Sequence, residues 1–194
     1  MYSLTIIGGG AMSCGYDSPS DHNVLTHTHG ALKHPLIKLD AIVEPNEERQ
    51  RYIHKKWGTD FSIYSSTEES VNEHKSDIFI VATPTKLHLK IINELLSIFA
   101  PKLIICEKPI VSNLNDLEIL TYLINKNTTK LVTNFPRRFD KSLNTLKEKL
   151  SDIKQIYYFH GTFTKGLIHN GSHMIDLINM LIGNIDNIKY ISKN

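Results

Sequence analysis

The residues 106–109, Cys-Glu-Lys-Pro, carry the side chains of this sequence that are best suited to chemistry. They close the apolar run 103–106, which is typical of a buried parallel strand. Open α/β sheets bind ligands outside the carboxyl ends of their strands, where Glu107 and Lys108 would lie. Many strands that bind nothing also end in a charged residue before a proline, so the other motifs decide whether this is a site.

A glycine-rich turn follows the first predicted strand. Residues 8–13, Gly-Gly-Gly-Ala-Met-Ser, match G-x-G-x-x-G except that Ser13 takes the last place. Such a turn lets the backbone approach a pyrophosphate, whose charge then faces the amides of the following helix. The pattern predicts a dinucleotide contact from Gly8, Gly10, Ala11 and Met12.

Glu44 ends the second predicted strand. A carboxylate there accepts hydrogen bonds from the ribose hydroxyls and repels a 2′-phosphate, which favours NAD over NADP. Glu44 lies 34 residues after Gly10 (44 − 10), compared with the usual spacing of about 20, and an inserted loop at residues 14–24 accounts for the excess. Two alternatives stay open: Glu44 caps the next helix, or Arg49 admits NADP.

A third turn follows the fourth predicted strand and contains Thr83 and Pro84, with His88 just beyond. A proline immediately after a parallel strand stops its ladder and fixes the turn. We interpret this turn, next to Glu107 and Lys108, as the wall of a nicotinamide site, although an ordinary β–α turn has the same pattern. Together the motifs predict a nicotinamide-dependent oxidoreductase.

The elements that position these residues alternate between strand and helix. This alternation predicts a doubly wound, Rossmann-type parallel sheet with right-handed crossovers over residues 1–135. The predicted strands are residues 3–7, 36–43, 60–63, 77–81, 102–106 and 130–133, and the predicted helices are 24–33, 46–57, 67–74, 87–99 and 114–125.

The pattern changes in residues 136–194, which we interpret as the beginning of an incomplete α/β domain with a mixed, more antiparallel sheet. It predicts a helix at 141–150, a half-exposed strand at 153–163, a helix at 172–182 closed by Gly183, and the start of a strand at 188–192.

Composition restricts the class of protein. The chain of 194 residues is 41% hydrophobic and 22% charged, with a formal net charge of +2. Its sequence shows no basic stripe, no apolar run long enough to span a membrane and no signal sequence. We therefore expect no nucleic-acid partner, no membrane partner and a cytoplasmic location. Cys14 and Cys106 are expected to be free thiols. His22, His27, His29 and His34 match no zinc template; we expect no metal and a polar surface loop and helix here, with a substrate contact from Tyr16 or His29 as the alternative.

Five motifs in order resemble the Gfo/Idh/MocA family, the relatives of glucose–fructose oxidoreductase and inositol dehydrogenase. They are residues 8–10 (Gly-Gly-Gly), 82–88 (Ala-Thr-Pro-Thr-x-x-His), 106–109 (Cys-Glu-Lys-Pro), 134–140 (Asn-Phe-Pro-Arg-Arg-Phe-Asp) and 171–176 (Gly-Ser-His-Met-Ile-Asp). The resemblance covers residues 1 to about 183. It implies an NAD(P)-binding Rossmann domain, a second α/β domain, and hydride transfer at a ring hydroxyl of a sugar, nucleotide sugar or cyclitol.

The resemblance also implies roles for single residues. Lys108 matches the lysine near the nicotinamide, and His173 matches the catalytic histidine that accepts the proton. Asp176 is then either a substrate-side partner or a structural residue. The family pattern has Asp where this chain has His169, and His169 or Asn170 would substitute for it in the substrate site. One of two arginines, preferably Arg137, would bind substrate, while the other forms a surface salt bridge.

Family members continue well past residue 183. We therefore expect this chain to be a fragment, a shortened product, or a subunit whose sheet is completed by another chain, with a homo-oligomer also possible. The alternatives to a working enzyme are a dinucleotide-binding relative with impaired turnover, because of His169, and an assembly subunit.

Overall fold

A computed structural model of the chain describes residues 1–187 and 189, apart from the side chains of Ile168 and His169. The chain divides into two compact units, Met1–Asn134 and Phe135–Asn194.

The first unit is a parallel sheet of six strands in the order β3-β2-β1-β4-β5-β6. This strand order is that of the doubly wound Rossmann fold, so the predicted fold class is confirmed. The strands are β1 (Tyr2–Ile7), β2 (Ile37–Val43), β3 (Ser62–Tyr64), β4 (Ile78–Val81), β5 (Leu103–Glu107) and β6 (Lys130–Asn134). The helices are α1 (His27–Lys33), α2 (Glu47–Trp57), α3 (Thr67–Glu73), α4 (His88–Ile98) and α5 (Leu114–Asn125).

The two faces of the sheet are packed against different helices. Ile6 of β1 belongs to one buried cluster, together with Ile53 and Trp57 of α2. Its neighbour Ile7 belongs to a second cluster, which contains Ile92 of α4. Successive side chains of a strand point to opposite faces, so the apolar run of β1 contributes to two cores and holds the sheet between two layers of helices.

Four helices of this unit begin where a short polar side chain accepts a hydrogen bond from the backbone amide three residues later. These caps are Thr26, Asn46, Ser66 and Asn113. Each such cap stabilises its helix by about 1 kcal/mol. The cap at Thr26 explains why α1 begins at His27 rather than at the predicted residue 24. The glycine turn leads into a single π-helical turn, Ala11–Gly15, and not into a regular α-helix.

The second unit contains α6 (Lys141–Ser151), capped by Asp140, a π-helical turn at Leu167–Gly171, and α7 (Ser172–Leu181). Gly183, with φ +128°, follows α7, and its amide donates to the carbonyl of Ile178 at 3.3 Å.

The strand predicted at residues 153–163 is wrong. The segment is exposed throughout and forms no ladder, and the described part of this unit contains helices and turns only. Alternation of apolar and polar residues indicates which side chains share a face, but a strand also needs a partner for its backbone groups. The strand predicted at 188–192 lies, except for Lys189, outside the described residues. None of the described helices is long and apolar enough to cross a membrane.

Candidate active site

The carboxyl ends of the central strands lie in register along one edge of the sheet. Ile7 pairs with both Val43 and Val81, and Val81 pairs with Cys106. The residues that follow these partners, which carry the predicted motifs, therefore leave the sheet at the same level. The chain leaves β1 toward β2 and leaves β4 toward β5, so the strand order reverses between β1 and β4. Such a switch point is where doubly wound sheets bind their ligands.

The glycines of the first turn serve different purposes. Gly8 has φ +104°, and a Cβ there would lie 2.9 Å from the carbonyl oxygen of Ala82. A Cβ on Gly9 would lie 2.6 Å from Cδ1 of Ile53. Gly10 is exposed, and a Cβ there would meet nothing within 4 Å. The first two glycines are required by the packing of the turn, whereas Gly10 leaves the backbone open to a ligand, as the dinucleotide prediction requires.

Glu44 is tied to the glycine turn. Its Oε2 accepts a hydrogen bond from the amide of Gly9 at 3.0 Å, and its Oε1 accepts from the amide of Asn46 at 3.0 Å. The structure thus bears out part of the capping alternative, although the cap of α2 is Asn46 itself. A carboxylate has about four acceptor positions, so two amide bonds leave capacity for the predicted ribose hydroxyls.

Arg49 lies beside Glu44 and contacts the same turn. Its Nε donates to the carbonyl of Gly9 at 2.7 Å, and its guanidinium carbon lies 4.9 Å from the centre of the Tyr52 ring. The surface here forms an open depression of about 520 Å³. Its lining residues are Glu44, Asn46, Glu48, Arg49 and Tyr52. Arg49, the residue considered for binding the 2′-phosphate of NADP, therefore lies next to Glu44, the carboxylate expected to favour NAD.

His88 supports the third turn from behind. Its ring is fully buried, with Nε2 2.8 Å from the carbonyl oxygen of Thr83 and Nδ1 3.2 Å from that of Ile110. These contacts link the turn after β4 to the turn after β5, so we assign His88 a supporting position rather than the predicted coenzyme contact. Pro84 is exposed, and Oγ1 of Thr83 has no hydrogen-bond partner among the described residues.

Glu107 is a buried carboxylate that contacts two side chains of the protein. Its Oε1 lies 2.8 Å from Nε2 of His27 and accepts a hydrogen bond from Nδ2 of Asn134 at 2.7 Å. Burial raises the pKa of Glu107, but the hydrogen bonds from His27 and Asn134 outweigh it and keep the pKa below its ordinary value. Glu107 is thus anionic at neutral pH and fixes the strand end from which the half-buried Lys108 extends. The peptide bond between Lys108 and Pro109 is cis.

The inserted segment is anchored by the buried carboxylate of Asp17. It accepts hydrogen bonds from the amides of Leu25 (2.5 Å) and Thr26 (3.1 Å), and its Oδ2 lies 2.7 Å from Nδ1 of His29. Burial raises the pKa of Asp17, but these bonds and the Thr26 hydroxyl outweigh it, so the pKa lies well below its usual range. These bonds fix the two ends of the inserted loop, and α1, which follows it, places its first residue His27 against Glu107.

The predicted surface position is correct for His22 and His34, which are exposed, and wrong for His27 and His29, which lie in the predicted helix with partly or fully buried side chains. His29 is 1% exposed, with its ring 5.5 Å from that of Trp57, so it offers no surface to a substrate. The sequence offered Thr26 as a cap of α1, because short polar residues before a helix cap it, but it offered no signal for the contact between Asp17 and His29. In the described residues, no group of three or more His, Cys, Asp or Glu side chains could hold a metal ion.

Both cysteines of the first unit are buried free thiols, as predicted. Burial raises the pKa of Cys14, and burial together with the neighbouring charge of Glu107 raises the pKa of Cys106 to about 12. Neither thiol is therefore a nucleophile at neutral pH.

In the second unit, the predicted salt bridge of one arginine is confirmed for Arg138. Its Nη2 lies 2.7 Å from Oδ1 of Asp176, and its Nε donates to both carboxylate oxygens at 2.8 and 3.0 Å. Asp176 is 8% exposed, so the structure favours its structural alternative over substrate binding. The ring of His173 packs edge-on against Phe135 at 5.7 Å. Arg137 and Asn170 line one cavity, whereas the side chain of His169 lies outside the described part of the molecule.

Comparison with known proteins decides the family. Residues 3–135 match the family model described as an oxidoreductase family with an NAD-binding Rossmann fold, GFO_IDH_MocA. The chain belongs to the Gfo/Idh/MocA family. The coenzyme of this family is NAD, in agreement with the prediction. Myo-inositol 2-dehydrogenase of Thermotoga maritima is 30% identical over 114 residues, which are 59% of this chain and 33% of that protein.

Solved structures of this family have the same fold. Myo-inositol 2-dehydrogenase from Lactobacillus plantarum gives a TM-score of 0.74 at 19% identity, covering 94% of this chain and 56% of that one. The WlbA dehydrogenase from Chromobacterium violaceum, crystallised with NADH and UDP-GlcNAcA, gives 0.72 at 18% identity, covering 94% and 55%. The chain thus spans a third of the curated relative and slightly more than half of these two structures.

Proposed function

We propose that this protein is an NAD-dependent oxidoreductase that transfers a hydride to or from the carbon of a ring hydroxyl in a sugar, nucleotide sugar or cyclitol. One observation carries the proposal: the open backbone at Gly10, the carboxylate of Glu44 and the strand end at Lys108 occupy the same edge of the sheet, at its switch point. Family membership and the myo-inositol 2-dehydrogenase relative support the reaction class.

The residues of the coenzyme site have separate tasks in this proposal. The backbone at Gly10, Ala11 and Met12 faces the pyrophosphate, since no side chain blocks Gly10. Glu44 accepts hydrogen bonds from the ribose hydroxyls, and Thr83 with Pro84 forms the wall beside the nicotinamide. NAD supplies the hydride acceptor when it is bound.

The proton of the reacting hydroxyl is handled by two further residues. The ammonium group of Lys108 polarises the reacting oxygen, and the imidazole of His173 accepts its proton; positioned acids and bases contribute about 10²- to 10⁴-fold to a rate. Arg137, His169 and Asn170 bind substrate. We also propose a cytoplasmic location, because the two buried thiols suit a reducing compartment.

A second candidate function is dinucleotide binding without turnover. The observation that favours it is His169, which stands where the family pattern has an aspartate. A histidine at this position removes a carboxylate that would orient the base or hold the substrate.

Two measurements separate these functions. Titration of the protein with NADH, followed by the fluorescence of NADH, tests coenzyme binding. The absence of saturable binding would contradict both functions. Reduction of NAD is then measured with a panel of cyclitols, hexoses and nucleotide sugars. Turnover with one of them supports the oxidoreductase, whereas NADH binding without turnover on the whole panel supports the second function.

A pair of lysine variants tests the chemistry. Lys108→Met should lower kcat by about 100-fold or more while NADH still binds. Lys102→Met is the matched control, because Lys102 precedes the same strand at its amino end, where it pairs with Asp77 at 2.7 Å. Equal kcat values for the two variants would remove Lys108 from the mechanism.

A further inference from the structure

We propose that Arg137 forms an anion-binding subsite in the unit Phe135–Asn194, and that the substrate carries an acidic group, a carboxylate or a phosphate, on its sugar ring. The inference rests on the proposed function and narrows its substrate class from any ring polyol to an anionic sugar.

The two consecutive arginines of this unit are in different electrostatic situations. Arg138 is neutralised by Asp176 through the contacts of 2.7 to 3.0 Å described above. Arg137 is exposed and makes no ion pair with any residue that the structure describes. Its positive charge is therefore available to a ligand, and a guanidinium matches the two oxygens of a carboxylate or phosphate.

Arg137 lines a cavity whose other polar groups suit the same ligand. The cavity has a volume of about 250 Å³. It is lined by Arg137, Thr162, Phe163, Thr164, Asn170 and Met174. The two threonine hydroxyls and the asparagine amide can donate hydrogen bonds, as the guanidinium does. The described lining residues include no acidic side chain, so an anion meets donors there without like-charge repulsion from them.

Close packing holds the wall of this cavity in place. A Cβ on Gly161 would lie 2.9 Å from Sδ of Met174, and a Cβ on Gly171 would lie 3.0 Å from Cε2 of Phe163. The first distance is shorter than real Cβ contacts and the second is tighter than most of them, so a side chain at either position would require Met174 or Phe163 to shift. The segment that carries Thr162 and Thr164 thus packs closely against Met174, and both threonines line the same cavity as Asn170 and Arg137.

The volume limits what the subsite can hold. Sites that enclose a drug-sized ligand measure about 300–1,000 Å³, which is larger than this cavity. It therefore fits an acidic group and part of one ring, with Phe163 and Met174 against the apolar face of that ring. A whole nucleotide sugar would extend out of it.

The experiment is calorimetric titration of the full chain with D-glucuronate, glucose 6-phosphate and neutral myo-inositol, each with and without saturating NADH. We expect glucuronate or glucose 6-phosphate to bind about tenfold or more tightly than myo-inositol, because a hydrogen bond to a charged group outweighs one to a neutral group. Comparison of the two acidic ligands tells a carboxylate site from a phosphate site.

Variants identify the residue responsible. Arg137→Gln should raise the Kd of the acidic ligand by about 10- to 100-fold and leave the Kd of myo-inositol unchanged. The Kd of the acidic ligand for Arg137→Lys should lie between those of Arg137→Gln and the parent protein. Lys149→Gln is the control, because it removes one positive charge from an exposed position of α6 outside the cavity. Both residues are exposed, and matching circular dichroism spectra verify that the variants fold.

The proposal is overturned if the acidic ligands bind no more tightly than myo-inositol, if none of the three binds, or if Arg137→Gln and Lys149→Gln behave alike. Titration without NADH reports on the subsite alone. Failure of NADH to bind would contradict the proposed function, whereas an Arg137-dependent anion signal would still support the subsite.

Discussion

The contact between His27 and Glu107 joins the start of α1 to the end of β5, directly before Lys108. We predict that His27→Ala destabilises the first unit, because it removes the 2.8 Å contact between Nε2 of His27 and the carboxylate of Glu107 and leaves the hydrogen bond from Asn134 in place. The His27 and Glu107 side chains are 15% and 10% exposed, so water cannot fully replace the imidazole.

The size of the effect follows from the kind of bond that is lost. A buried hydrogen bond to a charged group contributes about 1.5–3 kcal/mol to the free energy of unfolding. For a chain of this size, each kcal/mol lowers Tm by roughly 2–4 °C, so His27→Ala should lower Tm by about 3–12 °C at pH 7. His27→Gln retains a donor and should recover part of the loss.

The assays are thermal unfolding for Tm and urea unfolding for the free energy, both followed by the fluorescence of Trp57, the one tryptophan of the sequence, which lies in the core of this unit. A double-mutant cycle with Glu107→Gln isolates the pair: residues in contact show coupling of about 0.5–3 kcal/mol. The pKa of Glu107 is lower in the folded than in the unfolded state. Its contribution to stability is therefore complete above its ordinary pKa of 4.5 and is lost as pH falls through the folded-state value.

The difference between the parent and His27→Ala should accordingly shrink in acid. Two results would refute this reasoning: additive effects of the two substitutions within about 0.3–0.5 kcal/mol, or a difference that stays constant from pH 7 down to the acid limit of folding.

Three further predictions concern the coenzyme edge. Gly8→Ala should lower the free energy of unfolding by about 1–3 kcal/mol. Gly10→Ala should leave that free energy unchanged and raise the Kd for NADH about tenfold. Equal unfolding curves for the two variants would contradict the packing argument. Glu44→Ser should raise the affinity ratio of NADPH to NADH about fivefold or more, because at least ~1 kcal/mol of repulsion is removed, and an unchanged ratio would end the ribose assignment. Cys106, with a pKa of about 12, should not react with a thiol reagent at pH 8 until the protein unfolds, and rapid labelling of the native protein would show that the thiol is accessible.

The elements of the first unit could be predicted because their signals are local. Asn46, Ser66 and Asn113 cap helices at or next to the residue where the sequence places the start, and the apolar runs coincide with β1, β4 and β5. The doubly wound class then follows from the alternation of elements and the handedness of the crossovers, whereas the strand order does not, because more than one order is compatible with both.

Contacts between distant residues could not be predicted in this way. His27 and Glu107 are 80 positions apart, and no local pattern tells a buried histidine from an exposed one. The same limit explains the missing strand at residues 153–163, where the pattern of side chains was correct for a strand but pairing depends on another segment. At the candidate site, the sequence motifs predicted the positions of the glycine turn and of the strand ends. The supporting positions of His88 and Asp176 depend on contacts between distant residues, which only the structure shows.

The anchoring of the inserted segment by Asp17 divides it into two parts. Asp17 and Thr26 are fixed by their mutual hydrogen bonds, while residues 20–25 between them lie at the surface. This tip is consequently a permissive place for grafting an epitope or fluorescent tag, because a change in its length need not disturb the hydrogen bonds of Asp17.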